Sequence, residues 1–413
     1  MSDSAARYDV VVIGGGSSGL MTAYFAAARR LKTLVVDKGD RLAKKLRITG
    51  KGRCNLTNNC DAGVFLSNVR RGGKFLTSSV SRFSSADIME FFETRGLPLI
   101  TERGNRVFPK NGDANDVAET LIAAARDAGT VFLRGRVVEI QQLNSTVASV
   151  ILETGKRIDC SAAVIATGGL SYPKTGSTGD GYFMAGELSH TINTPSASLV
   201  PIICDTDDTW PVGLSLRNSR LVAVKAGKQL FSEQGEMLFT HFGVSGPLIL
   251  SLSSYLAGEN LKEITVYVDL KPALGETELD NRILRDFSDN INKDFKNSLD
   301  KLLPKKIIPA VINRSRIKQT RKINSVTVKE RAALAKAIKH FDIAITGFRP
   351  VTEAVITAGG VELSEVDPKT MMSKKVKNLH FAGEVLDIDG YTGGFNLSIA
   401  FATGAAAGEW VLR

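Results

Sequence analysis

Two tryptophans, four histidines and four cysteines are few for a chain of 413 residues. These types most often mark stacking platforms, acid–base pairs and metal sites, so each scarcity narrows the chemistry. The cysteines (Cys54, Cys60, Cys160, Cys204) include no CxxC spacing, which argues against a zinc site or a disulfide framework and for a reducing, cytoplasmic setting. No run approaches the roughly 18 apolar residues that cross a bilayer, so no membrane association is expected. The opening MSDSAARYDVVVIGGG carries an early acid and reaches glycine after a short apolar run. It is expected to be a first strand and turn and not a signal peptide.

Positive charge is in excess. The net charge is +10, and its placement is uneven. Residues 41–74 hold nine Lys or Arg and one acid, and residues 301–322 hold eight and none. Each segment sums to +8, so the rest of the chain sums to −6. Such segments suit a polyanionic partner, or a solvated surface with cofactor-phosphate contacts.

YDVVVIGGGSSGLMTAYFAAARRLKTLVVDKGD has the order strand, glycine turn, helix, strand. Tyr8 to Ile13 is a continuous apolar run, as in a parallel strand buried on both faces. Gly14, Gly16 and Gly19 form G-x-G-x-x-G: one for the tight turn, one for approach to a pyrophosphate, one for helix packing. Ser17 and Ser18 fall where the helix starts and exposed N–H groups face an anion. The second strand, from Lys32, ends at Asp37, eighteen residues beyond Gly19, where a carboxylate can accept from a ribose hydroxyl. This pattern predicts FAD or NAD.

Two further segments favour flavin. AAVIAT (162–167) is a second buried strand ending at Gly168-Gly169, the form taken where glutathione-reductase-type flavoproteins return to the nucleotide domain. The following SYPKTGSTGDG lacks Walker spacing, because Lys174 follows Pro173. KNLHFAGEVLDIDGYTGGFNLSIAFATG then supplies a short strand, Gly383-Glu384, and Gly393-Gly394 before a small-residue helix. Such a helix is expected to point its N-terminus at the flavin C2 carbonyl, where charge collects on reduction. Glu384 stands where Asp is usual. There is no second complete GxGxxG unit, so NAD(P)H is expected at most as a transient reductant.

The chain resembles the BaiN/RdsA (YhiN-like) family of FAD-dependent oxidoreductases, also named NAD(P)/FAD-dependent or aminoacetone oxidase-like enzymes. The resemblance rests on KLRITGKGRCNLTN (45–58), GNRVFP (104–109), VIATGGLSYPKTGSTGDG (164–181), LFTHFGVSGP (238–247), TEAVITAGGV (352–361) and FAGEVLDIDGYTGGFNLSIAFATG (381–404). It implies an α/β architecture: a Rossmann-like FAD domain over 1–192 and 353–413, a β-barrel-like insert over 193–274 and 341–352, and a helical subdomain over 275–340. Short alternating runs such as SRLVAVKAG and the helical VKERAALAKAIKHF agree with the insert. The basic block at 45–59 is then expected to clamp cofactor: Lys45, Arg53 and Asn55 as donors, Gly50 and Gly52 for close approach. The expected cofactor set also includes Lys38, Thr49, Cys54, Val138, Ala166, Thr167, Gly168, Phe395 and Asn396.

For the activity, the resemblance implies reduction of a carbonyl-conjugated C=C. The expected substrate is uridine in 23S rRNA, giving dihydrouridine, with a steroid-like enone as the alternative. The two basic segments favour RNA. A flavin hydride needs an acid to protonate the neighbouring atom. Cys54, His241 and Tyr391 are the candidate acids or substrate contacts.

Overall fold

The computed structural model describes residues 7–413, which divide into two compact units. The first comprises the chain up to Ser198 together with Val351–Arg413; the second is Leu199–Pro350.

In the first unit, strand β1 (Tyr8–Ile13) is flanked in parallel by β2 (Thr33–Asp37) and by the long strand Arg157–Ile165. Val131–Arg134 extends the sheet beyond β2, and Leu379–Phe381 pairs with the last residues of the long strand. The first residues of that strand instead join an antiparallel meander with Thr146–Leu152 and Val137–Leu143. The continuous apolar runs are explained by burial on both faces: Val10, Val11, Val12 and Ala162–Ile165 are inaccessible to solvent.

Helix α1 (Ser17–Ala28) lies against the C-terminal helix Phe395–Trp410. Glycine makes the crossing possible. A Cβ on Gly404 would stand 2.4 Å from the Ser18 carbonyl oxygen, and one on Gly408 2.4 Å from that of Thr22. Thr22 Oγ1 bonds the Gly404 carbonyl at 3.0 Å, and Arg29 caps the helix end through Gly408 and Val411. The C-terminal helix is buried almost all round, so it carries no polar stripe.

The second unit is a seven-stranded sheet, antiparallel at every pairing, with helices Glu276–Ser288, Ile308–Ser315 and Val328–Lys339. Sheet and helices share one apolar core, from Phe231 and Phe239 to Ile308 and Leu334. The barrel-like and helical parts anticipated separately are therefore packed as one body. The boundary also falls later than 192/193, because Ile192–Ser198 pairs with Ile356–Val361 inside the first unit.

His380, in the strand Leu379–Phe381, is 1% exposed. Its Nδ1 faces the Thr370 carbonyl at 2.9 Å, whereas Nε2 has no partner among the described residues. Burial pushes its pKa down to about 4. An unfolded chain protonates this ring near pH 6.5, so stability falls as pH drops from about 6.5 towards 4, by about 3 kcal/mol over the whole window. Melting temperature followed from pH 7.5 to 4.5 is expected to fall less steeply in His380→Gln. Parallel curves for the two proteins would show that this ring is not responsible.

Candidate active site

The first βα turn opens onto a groove of about 1310 Å³, including its part open to solvent. Gly14–Ser18 form one wall and Asp37 with Lys38 the end of β2. Ala166–Gly168 line the floor, and Asn396, Leu397 and Ala400 come from the C-terminal helix.

Both helices begin without a side-chain cap, at Gly16 and at Gly394 (φ 102°). Their first N–H groups are thus left for whatever fills the groove. Around Gly16 a Cβ would meet nothing within 4 Å, which leaves a smooth backbone surface. Gly14 (φ 108°) has no such room: a Cβ would stand 2.5 Å from the Ala166 carbonyl. Gly19 serves packing, its Cβ position lying 1.9 Å from the Gly14 oxygen. Asp37 accepts from the Gly15 and Gly39 N–H groups at 2.6 Å each, and each oxygen keeps a lone pair for a ribose hydroxyl. Lys38 is held by Asp180 at 2.9 Å, and Asp180 also meets Arg136 at 3.1 Å.

Glu384 joins three separate segments of the groove. Its carboxylate accepts from Thr357 N at 2.8 Å, Ser171 Oγ at 2.7 Å and Lys45 Nζ at 2.6 Å. It ties the helix Lys44–Ile48 and the loop after Ile165 to the strand Ile356–Val361, so its longer side chain is used for scaffolding. Thr49, also in the lining, bonds back to the Lys45 carbonyl at 2.9 Å.

Several expected residues sit elsewhere. Arg53 points outward, half exposed, to Glu102 at 2.6 Å and over the Phe108 ring at 4.4 Å. Cys54 is fully buried and is not among the groove-lining residues; desolvation pushes its thiol up to about 12, which keeps it a protonated, unreactive packing group. Gly50 (φ 62°) packs on the Cys54–Asn55 backbone. With its amide oriented by its neighbours, Asn55 accepts from Gly394 N at 3.0 Å and donates to the Thr57 and Val107 carbonyls. The GRCN block therefore supports the start of the C-terminal helix from behind. Val138 is replaced in the lining by Val137, because successive strand residues face opposite ways. Phe395 is 5% exposed and packs edge-on to Phe65 in the core. Gly383 (φ 80°) and Gly393 (φ 118°) shape turns behind the lining; a Cβ on Gly383 would clash with Ser18 Oγ at 2.5 Å. Asn396 lines the groove while its side chain bonds Gly390 and Tyr391. Tyr391 is half-buried in the preceding loop, and His241 is exposed in the second unit. Sequence reasoning missed Thr175–Ser177 and Asp180 as lining residues. Their signal was SYPKTGSTGDG, rejected for one phosphate motif when it served another nucleotide site.

Across residues 8–410 the chain matches the model described as HI0933-like protein Rossmann domain. It belongs to that family. It is 30% identical over 409 residues to a 3-dehydro-bile acid delta(4,6)-reductase of Clostridium scindens, covering 96% of this chain and 97% of that one. It is 27% identical to a ribosomal RNA dihydrouridine synthase of Escherichia coli and 28% to one of Haemophilus influenzae, covering 98% of both chains in each case. Among solved structures, a 3-ketosteroid-delta4-(5alpha)-dehydrogenase from Rhodococcus jostii RHA1 shares the fold with TM-score 0.57 at 12% identity, over 100% of this chain and 98% of that one. A flavocytochrome c3 fumarate reductase gives 0.52 at 16%, over 99% and 78%. The protein is an FAD-dependent oxidoreductase with a Rossmann-type flavin domain.

The residues present fit that cofactor. Besides the two uncapped helices, the groove holds Thr167 Oγ1, buried and without a partner among the described residues. Gly14–Ser18 would hold the pyrophosphate and Asp37 a ribose, with the start of the C-terminal helix serving the flavin ring. Among the described residues, no group of three or more His, Cys, Asp or Glu is arranged to hold a metal ion. Because Cys54 is buried outside the groove lining, Cys54→Ser is expected to retain bound flavin and turnover within a few-fold of wild type. Loss of turnover with flavin still bound would restore the thiol to the chemistry.

Proposed function

We propose that this oxidoreductase reduces the C5–C6 double bond of a uridine in 23S rRNA to dihydrouridine, in the cytoplasm, with NAD(P)H as reductant. Bound FAD supplies the hydride. The chain's own part is to hold the cofactor, orient a carbonyl-conjugated alkene and deliver one proton. With Cys54 set aside, Tyr391 and His241 are the proposed donors. Tyr391→Phe or His241→Asn with unaltered turnover would remove that residue from the role.

The observation that carries the RNA reading is where the positive charge goes. In segment 41–74, Arg41, Lys45, Arg47, Arg53 and Arg71 each lie within salt-bridge distance of an acid distant in the chain, and Lys44 pairs with the neighbouring Asp40. Much of that segment's excess is consumed internally. In segment 301–322, Lys305, Lys306, Arg316 and Lys318 are exposed and form no salt bridge among the described residues. Four cations without an acid partner among the described residues, within fourteen residues of chain, suit a phosphate backbone better than a single small enone. Two full-length relatives named for ribosomal RNA dihydrouridine synthesis support the same reading. The bile-acid relative favours the second reading, a steroid-like enone.

Dihydrouridine mapping of 23S rRNA from a strain lacking this protein is expected to show one position reverted to uridine; retention of all of them would remove the proposal. Lys305→Glu with Lys306→Glu should weaken rRNA binding about tenfold or more near 0.1 M salt, through loss of phosphate contacts. Flavin content should stay unchanged. Equal affinity across a salt series would dissociate these lysines from RNA.

A further inference from the structure

The groove does not account for the outward-facing part of the 45–59 block or for GNRVFP. Both motifs meet in one small sheet, where Thr57–Asn58 pairs with Arg106–Pro109, and that strand pairs with Leu99–Glu102. Five cations are exposed on this sheet and its adjoining turns: Lys51, Arg53, Arg103, Arg106 and Lys110. Nearby acids are already engaged. Glu102 holds Arg53 at 2.6 Å, while Asp61 and Asp113 accept backbone N–H groups at helix starts, each at 2.8 Å. Arg53 and Arg106 lie 4.4 and 5.8 Å from the centre of the Phe108 ring, which fixes part of each side chain.

This surface is joined directly to the flavin groove. Asn58 Nδ2 donates to the Gly104 carbonyl at the hairpin tip (3.1 Å) and to the Gly393 carbonyl (3.0 Å). Gly394 then lies so close to Thr57 that a Cβ would stand 2.4 Å from its backbone. Two residues later Asn396 lines the groove. One side chain therefore bridges a cationic hairpin and the turn that starts the groove's helix.

We propose that the hairpin 99–109 and the turn 50–53 grip the RNA phosphate backbone beside the flavin groove, setting the position of the target nucleotide. The inference rests on the rRNA reading above and adds a second surface, in the first unit. Contacts to phosphate carry no sequence information but fix register, as a base presented to a flavin requires. A small enone offers too few anionic groups to engage cations spread over one strand and its adjoining turns, four of which (Lys51, Arg103, Arg106 and Lys110) form no salt bridge among the described residues.

The test uses the FAD-loaded full chain and an in vitro transcript of 23S rRNA, with binding measured across a salt series. In Lys51→Gln/Arg103→Gln/Arg106→Gln the slope of log affinity against log salt should shrink by about 2, at about 0.7 per single-strand phosphate contact. Affinity near 0.1 M salt should fall at least tenfold, and flavin absorbance and melting temperature should match wild type. Arg103→Gln/Lys110→Gln, two fully surface changes, should give a smaller loss in the same direction. Wild-type affinity and slope in both variants would overturn the proposal while leaving the rRNA reading standing. A wild-type protein that fails to bind the transcript would overturn both.

Discussion

The close crossing of α1 and the C-terminal helix is the constraint on which the rest of the site depends. Gly404 and Gly408 let the backbone carbonyls of Ser18 and Thr22 approach where any Cβ would collide. That contact joins Ser17–Ala28 to Phe395–Trp410 and presents two uncapped helix starts to one groove. A negatively charged or electron-accepting ligand is then satisfied from two directions by backbone dipoles alone, at no reorganisation cost. Larger residues at 404 or 408 would separate the helices and, with them, the two halves of the flavin site.

The glycine-rich block at 45–59 is the mechanical complement to that crossing. From its sequence the whole block is expected to be a cofactor element, but only its first part lines the groove. Lys45 and Thr49 face the groove, but from Gly50 onward the chain turns away and Asn55 and Asn58 hold residues 393 and 394 in place. Asn55 and Asn58 act on the groove through residues 393 and 394 and do not line it themselves. The same loop leaves Arg53 on the outer surface, paired with Glu102 and outside the groove lining.

What could be read from the sequence was local. Gly14, Gly16, Gly19 and Asp37 follow from spacing, because strand, turn and helix geometry are fixed within thirty residues. The buried strands followed from unbroken apolar runs. What escaped depends on pairing between distant segments. The choice of Val137 over Val138 is the phase of a pleat set by a partner strand. The burial of Cys54 and Phe395 comes from cores that gather segments distant in the chain. The charge count could not show that several cations of 41–74 are paired, since their acids come largely from residues 102, 119, 384 and 389. The insert was legible as strands followed by helices, but not as a single core.

A uridine reductase and an enone reductase share the flavin step, so electrons must be followed to the substrate. Anaerobically reduced holoprotein should be mixed with a 23S rRNA transcript free of dihydrouridine and the flavin absorbance recorded. Reoxidation of the flavin with one dihydrouridine formed per flavin, and none with oligouridylate lacking the fold of the transcript or with a steroid enone, is the predicted result. Flavin that stays reduced with the transcript and reoxidises with the enone would contradict the account.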